Sequence, residues 1–243
     1  MTLKVVLEYH GARFHGWAAQ PGLRTVEQTL GDALGTVLGS APSLSVAGRT
    51  DAGVHAAGQV VSFSLDGEVE PGRLLRSLNG VLPNDVAVLS VEVAPEGFSA
   101  RHSARSRTYR YSVLVRGAPS PFLADRALWW PHPLDEGALH ECAAALVGTH
   151  DFTAFTPVQT EHVRFERDVF SAEWRRTGDV LELWISADTF MRHMVRVLVG
   201  TMLEVGAGRC TVAEFKSLLR GAPRAGAGPT AAAHALCLVG VSY

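Results

Sequence analysis

Ala47–Gln59 reads AGRTDAGVHAAGQ, and the rest of this 243-residue chain can be read outward from it. Gly48, Gly53 and Gly58, with alanines at 47, 52, 56 and 57, surround one arginine, one threonine, one aspartate and one histidine. Glycine admits positive φ and close backbone approach, so the stretch suits a tight loop with a ligand or another chain segment against it. Asp51 lies at its centre, two residues after Arg49. A neighbouring cation favours the carboxylate form, which makes Asp51 a candidate nucleophile or base rather than an acid. On spacing alone the pair reads equally as a turn-capping aspartate with an arginine salt-bridge partner.

The flanks give the loop its frame. Gln59–Leu65 after it is apolar enough for a buried strand, and Leu3–Tyr9 alternates Leu3, Val5, Leu7 and Tyr9 against more polar neighbours. A glycine-broken loop follows at 10–17. Thr25 with Gln28 forms a capping-box signature for a helix along Val26, Leu30, Leu34, Val37 and Leu38, ended by Gly39. Pro71, then Leu74, Leu75 and Leu78 with Gly80 past the end, predicts a second helix, and Val86–Val93 a further strand. Phe98–Arg107 is a basic connector that feeds the alternating strand Thr108–Val115.

Beyond it, the proline-rich stretch Gly117–Pro133 reads as a connector between halves. Asp135 caps a helix through Leu146, with Gly148 as its stop. Thr156–Arg167 reads as polar loop. Asp168–Trp174 and Val180–Ser186 flank Thr177-Gly178-Asp179, a hairpin signal. Phe190–Val205 is the strongest helix of the second half, interrupted by Arg192, His193 and Arg196, and its Gly200 suggests close packing. Thr211 and Glu214 open another helix, and Leu236–Val241 closes the chain as a strand. Most strands alternate, which favours an antiparallel or mixed sheet in an α+β fold.

Composition narrows the function classes. A 47% hydrophobic and 19% charged chain folds as a globular protein. No apolar run is long enough to span a bilayer, and Met1 leads into a strand rather than a signal peptide, so no membrane role and a cytoplasmic location are expected. Cys142, Cys210 and Cys237 form no CxxC pair, so neither a disulfide framework nor a zinc ribbon is indicated. The net charge of −2 excludes a global basic footprint, but Arg101, Arg105, Arg107, Arg110 and Arg116 cluster in one segment. Arginine matches phosphate bidentately and stacks on bases. No metal and no cofactor are expected: GxGxxG and Walker loops are absent, and His150-Asp151 has no second ligand cluster to make a phosphohydrolase of it.

Arg49-Thr50-Asp51-Ala52-Gly53-Val54-His55-Ala56, with Gly58-Gln59 after it, closely resembles the catalytic motif of the tRNA pseudouridine synthase A family. Ser106-Arg107-Thr108-Tyr109-Arg110-Tyr111 resembles the second family motif, and Phe190-Met191-Arg192-His193-Met194-Val195-Arg196 with Gly200 the third. The resemblance implies two similar α/β lobes sharing a mixed, mainly antiparallel central sheet with a cleft between them. The lobe at 1–105 would carry the aspartate loop, and the lobe at 106–243 the tyrosine strand and the arginine helix. It implies isomerisation of uridine to pseudouridine at positions 38, 39 and 40 of the tRNA anticodon stem-loop, by a homodimer in which one tRNA touches both subunits.

On that reading Asp51 is the nucleophile, Arg49 and Arg196 hold it ionised and grip phosphate, and Tyr109 stacks on the target base. Arg101, Arg105, Arg107, Arg110 and Arg192 are candidates for the RNA backbone. The residues alone also allow Tyr109 as a half-buried strand tyrosine and Arg196 as a snorkelling helix-edge arginine. The chain departs from the family pattern at His10, where an acidic residue is usual, at Ala18, where an amide is usual, and at Ala235, where glycine is usual. The rival functions are a non-catalytic RNA-binding module and an aspartate-dependent or metal hydrolase, which would want a second carboxylate or a ligand cluster at fixed spacing.

Overall fold

Leu3, Val5, Leu7 and Tyr9 are all buried, as the alternation in the first strand requires. They belong to a computed structural model that describes residues 1–160 and 163–243. Residues 161 and 162, part of the expected polar loop Thr156–Arg167, lie outside the described residues. The elements of the first half are β1 (Thr2–Tyr9), α1 (Val26–Leu38), β2 (Ser45–Val46), β3 (His55–Ser64), α2 (Pro71–Val81) and β4 (Val86–Val93). There follow β5 (Ser106–Val115), β6 (Leu128–Trp130), α3 (Glu136–Ala145), β7 (Gly148–Asp151) and β8 (Glu166–Thr177). The last are β9 (Val180–Ala187), α4 (Met194–Gly206), α5 (Val212–Leu218) and β10 (Leu236–Ser242). The class is α+β with mixed, mainly antiparallel pairing, as expected.

Two compact units divide the chain: Met1–Arg105 with Cys237–Tyr243, and Ser106–Leu236. In the first, strand order is β4-β1-β3-β10, with β2 also on β3. β1 pairs antiparallel with β3 (Val5↔Val61) and β4 (Val5↔Val91), while β10 joins β3 in parallel through Cys237↔His55 and Leu238↔Ala56. β3 therefore starts at His55, four residues before the expected Gln59. Its small residues are strand rather than loop because β10 needs them: a Cβ on Gly58 would lie 2.5 Å from the Val239 carbonyl oxygen. Thr25 caps α1 by accepting from the Gln28 N–H, but the Gln28 amide donates to Asp32 at 2.7 Å, so only half of the expected capping box forms. α2 runs through Gly80 to Val81 and stops at Leu82, whose ψ of 146° is the extended conformation that Pro83 imposes on its predecessor.

In the second unit the order is β5-β9-β8-β7, with β6 parallel to β5. β8 and β9 form the expected hairpin, closed at Thr177↔Val180. The stretch expected to connect two halves, Gly117–Pro133, contains β6 and lies wholly inside this unit. Asp135 caps α3 and the Thr211–Glu214 capping box opens α5, both as read from the sequence. α4 is buried at every position except Arg196 and Glu204, the signature of a helix packed on all sides.

α4 begins at Met194 rather than Phe190. His193 has φ 62° and ψ −2°, a left-handed conformation incompatible with helix, and is the only non-glycine residue with positive φ among the described residues. That conformation costs a residue with a Cβ about 1–2 kcal/mol, so the packing around it holds it there.

The segment at 228–232 crosses α4 at very short range. The Gly228 N–H donates to the Thr201 hydroxyl (3.0 Å) and the Ala231 N–H to the Arg196 carbonyl (3.0 Å). A Cβ on Gly200 would lie 1.8 Å from the Pro229 carbonyl oxygen, so only glycine permits the crossing. Gly200→Ala is expected to destabilise the protein by about 1–3 kcal/mol through this overpacking. The urea midpoint would fall, and a wild-type midpoint would refute the close-approach account.

Candidate active site

Asp51 is half-buried at the start of a turn that closes through the Val54 N–H on the Asp51 carbonyl (3.1 Å), with Gly53 at φ 81°. The loop at 10–17 grips this turn from outside. Trp17 N–H donates to the Thr50 carbonyl (3.0 Å), Gly53 N–H to the Phe14 carbonyl (3.2 Å), and Gly11 N–H to His55 Nδ1 (2.9 Å). Nδ1 accepts, so it carries no proton in this arrangement. A Cβ on Gly11 would lie 2.0 Å from the Val54 carbonyl oxygen, and one on Gly16 (φ 92°) 2.9 Å from that of Thr50. Those two glycines let the loops lie backbone against backbone. Arg49, between half-buried Gly48 and buried Thr50, is exposed.

The gripping loop is itself anchored. His10 N–H donates to the Asp85 carbonyl (2.9 Å), and Val26 and Glu27 at the start of α1 donate to the Gly16 and Trp17 carbonyls (3.2 and 3.0 Å). The Arg24 guanidinium lies over the Phe14 ring at 4.1 Å and binds both Asp85 carboxylate oxygens at 2.7 Å. Hydrogen bonding to Arg24 holds the Asp85 carboxyl below its usual range. His10, which stands where the family more often has an acidic residue, sets its ring 4.5 Å from that of His55.

Beneath the turn lie three buried polar side chains. The Tyr9 hydroxyl is 2.7 Å from the Thr50 hydroxyl, and Gln59 Nε2 donates to the Gly48 carbonyl (2.7 Å) and to the Tyr9 hydroxyl (3.3 Å). The sequence marks Tyr9 as one residue of a strand's inner face and Gln59 as the end of a motif. Tyr9 meets Thr50 across 41 positions and Gln59 across 50, which no local pattern announces.

The second unit carries Tyr109 and Arg196. Tyr109 sits on β5 opposite Ile185 of β9, 8% exposed, with its ring edge-to-face on Phe190 at 5.2 Å. Arg196 is half-buried in the first turn of α4. Its Nε donates to the Ala231 carbonyl (2.8 Å) while its own carbonyl accepts from the Ala231 N–H, a reciprocal pair. The Tyr111 hydroxyl holds the same strap by donating to the Ala232 carbonyl (3.0 Å), and burial pushes its pKa up. Among the other arginines, Arg101 and Arg105 are exposed on the first unit and Arg192 on the second. Arg110 is half-buried, 3.5 Å from Glu182 and 5.7 Å from the Trp184 ring. Arg107 is 8% exposed and donates to the Asp188 carbonyl at 2.7 Å.

A family model described as tRNA pseudouridine synthase matches residues 142–243. The protein named tRNA pseudouridine synthase A in Bacillus subtilis is 39% identical over 245 residues, spanning 100% of this chain and 99% of its own. Its namesake in Moorella thermoacetica is 40% identical over 244 residues, covering 99% of each chain, and that of Burkholderia lata 39% over 243, covering 100% and 90%. The chain belongs to the tRNA pseudouridine synthase A family. Its membership extends over both units, whereas the family model reaches only from α3 to the end of the chain. In this member of the tRNA pseudouridine synthase A family the Asp51 turn is thus held by two separate sets of contacts, the loop outside and the polar side chains beneath.

Those buried side chains make an alkaline signature. Burial raises the Tyr9 hydroxyl from 10.0 to about 12, with the Thr50 and Gln59 hydrogen bonds opposing the shift. Unfolded chain releases this proton near pH 10 and folded chain holds it to about 12, so folding stability falls as pH rises through that interval. Tyr9→Phe removes this contribution and leaves that of Tyr111. Urea unfolding at a series of alkaline pH values should show a shallower decline for the variant, and parallel declines would contradict the assignment.

Proposed function

We propose that this protein isomerises uridine to pseudouridine in tRNA, at positions 38, 39 and 40 of the anticodon stem-loop, with Asp51 as the nucleophile. The observation that carries the reading is an aspartate on a turn fixed from two sides, in a chain related over its whole length to proteins named tRNA pseudouridine synthase A. The reaction breaks the N1–C1′ bond, turns the base and joins C5 to C1′. The Asp51 carboxylate adds to the uracil ring or to the ribose anomeric carbon and leaves again as carboxylate. In the process C5 gives up its proton and N1 gains one. A transient covalent bond divides one hard step into two easier ones.

Each further role follows from side-chain chemistry. Arg49, exposed two residues before the aspartate, grips phosphate beside the target nucleotide. Tyr109 stacks on the base once it leaves the helix, and Arg196 grips the phosphate of the flipped nucleotide. Opening a stem pair costs about a few kcal/mol, which contacts to the RNA backbone offset. Arg101, Arg105 and Arg192 are the exposed candidates for those contacts, and the half-buried Arg110 is a further one. Residues 1–105, with 237–243 in the same unit, act as the nucleophile lobe and 106–236 as the base-holding lobe. The working form is a cytoplasmic homodimer with one tRNA touching both subunits, which gives a chain of net charge −2 a larger binding surface.

The test is tritium release from tRNA labelled at C5 of uridine. Wild-type protein should release it, and Asp51→Ala should release none while still binding tRNA. Binding without release by the wild type would favour the non-catalytic RNA-binding module. Release by Asp51→Ala would remove Asp51 from the chemistry.

A further inference from the structure

We propose that Tyr9, Thr50 and Gln59 form a buried positioning network that sets the Asp51 turn for catalysis; the inference rests on the isomerase reading above. Gln59 is 0% exposed and Tyr9 4%, so each polar atom they bury must be matched by a partner. The Gln59 Oε1 accepts from the Val60 N–H (3.2 Å), which fixes the orientation of the amide and turns Nε2 toward Gly48 and Tyr9. The Tyr9 oxygen accepts from Gln59. The proton arrangement that satisfies the phenol has its own hydrogen directed to the Thr50 oxygen 2.7 Å away.

The chain of hydrogen bonds therefore has one direction, Gln59 to Tyr9 to Thr50. It touches the turn at two places on either side of Arg49: the carbonyl of Gly48, and the side chain of the residue immediately before Asp51. The Thr50 carbonyl is separately held by Trp17. With residues 48 and 50 fixed, the peptide that bears Asp51 has little freedom left, and the exposed Arg49 between them is aimed outward by the same constraint. Plain packing would not select this arrangement, because apolar side chains fill such space without three mutually dependent polar groups. A nucleophile must stand within a narrow range of its target, and small displacements cost rate steeply. Tyr9, Thr50 and Gln59 act through Asp51 and need not touch the RNA, so their signature is a loss of turnover without a loss of binding.

Tyr9→Phe and Thr50→Val each remove one hydroxyl and keep the shape, and Thr50→Ser keeps the hydroxyl. Steady-state tritium release would be measured at temperatures where circular dichroism shows each protein folded. For Tyr9→Phe and Thr50→Val, kcat should fall roughly 10- to 100-fold with KM for tRNA within about twofold of wild type. Thr50→Ser should keep most of the wild-type kcat. Should Tyr9→Phe fail to fold, the Thr50 pair decides alone. The proposal is overturned if both hydroxyl deletions retain wild-type kcat, if KM rises while kcat holds, or if Thr50→Ser is as impaired as Thr50→Val. A wild type that releases no tritium refutes the isomerase reading itself, a different result from an active wild type matched by its variants.

Discussion

The Trp17 N–H on the Thr50 carbonyl, with the Gly53 N–H on the Phe14 carbonyl beside it, is the constraint on which the Asp51 region depends. Two segments outside the strands and α-helices carry backbone donors and acceptors that a strand or α-helix would otherwise satisfy, and each satisfies part of the other's need. This works only because the backbones come very close, and the closeness is a property of Gly11 and Gly16. Everything else there serves that contact: Arg24 clamps Phe14 and Asp85, α1 begins by donating to Gly16 and Trp17, and the buried polar trio supports the turn from below.

The second unit uses the same physics around Arg196. Gly200 and Gly228 let the strap lie on α4 at backbone distance, and Ala231 then bonds Arg196 at both its carbonyl and its guanidinium. In both units a side chain with chemistry to offer stands on a segment whose position is set by a glycine-permitted crossing. Long side chains would otherwise sample many rotamers, and tying the guanidinium to a fixed carbonyl removes much of that freedom before any ligand arrives.

Several elements were legible because their causes are local. Alternation marks β1, β4, β5 and the β8–β9 hairpin; caps mark the starts of α1, α3 and α5. Boundaries set by distant partners were not. β3 extends back to His55 because β10 and Tyr9 pair there, and α4 starts late because His193 takes a left-handed conformation that local apolar periodicity does not reveal. Gly80 resembles a helix stop, yet Pro83 is what ends α2, since a proline restricts the residue before it more strongly than a glycine invites a turn.

By itself the sequence determined the α+β class and the family, because alternation, caps and an ordered run of charged and small residues are all written in neighbouring positions. The tertiary structure alone decided that the last strand returns to β3 in the first unit, that Gln59 and Tyr9 lie beneath Thr50, and that Arg107 is buried against the Asp188 carbonyl. The physical reason is the same in each case. Hydrogen bonds and burial are relations between residues tens of positions apart, and a chain states its residues in order but not which of them will meet.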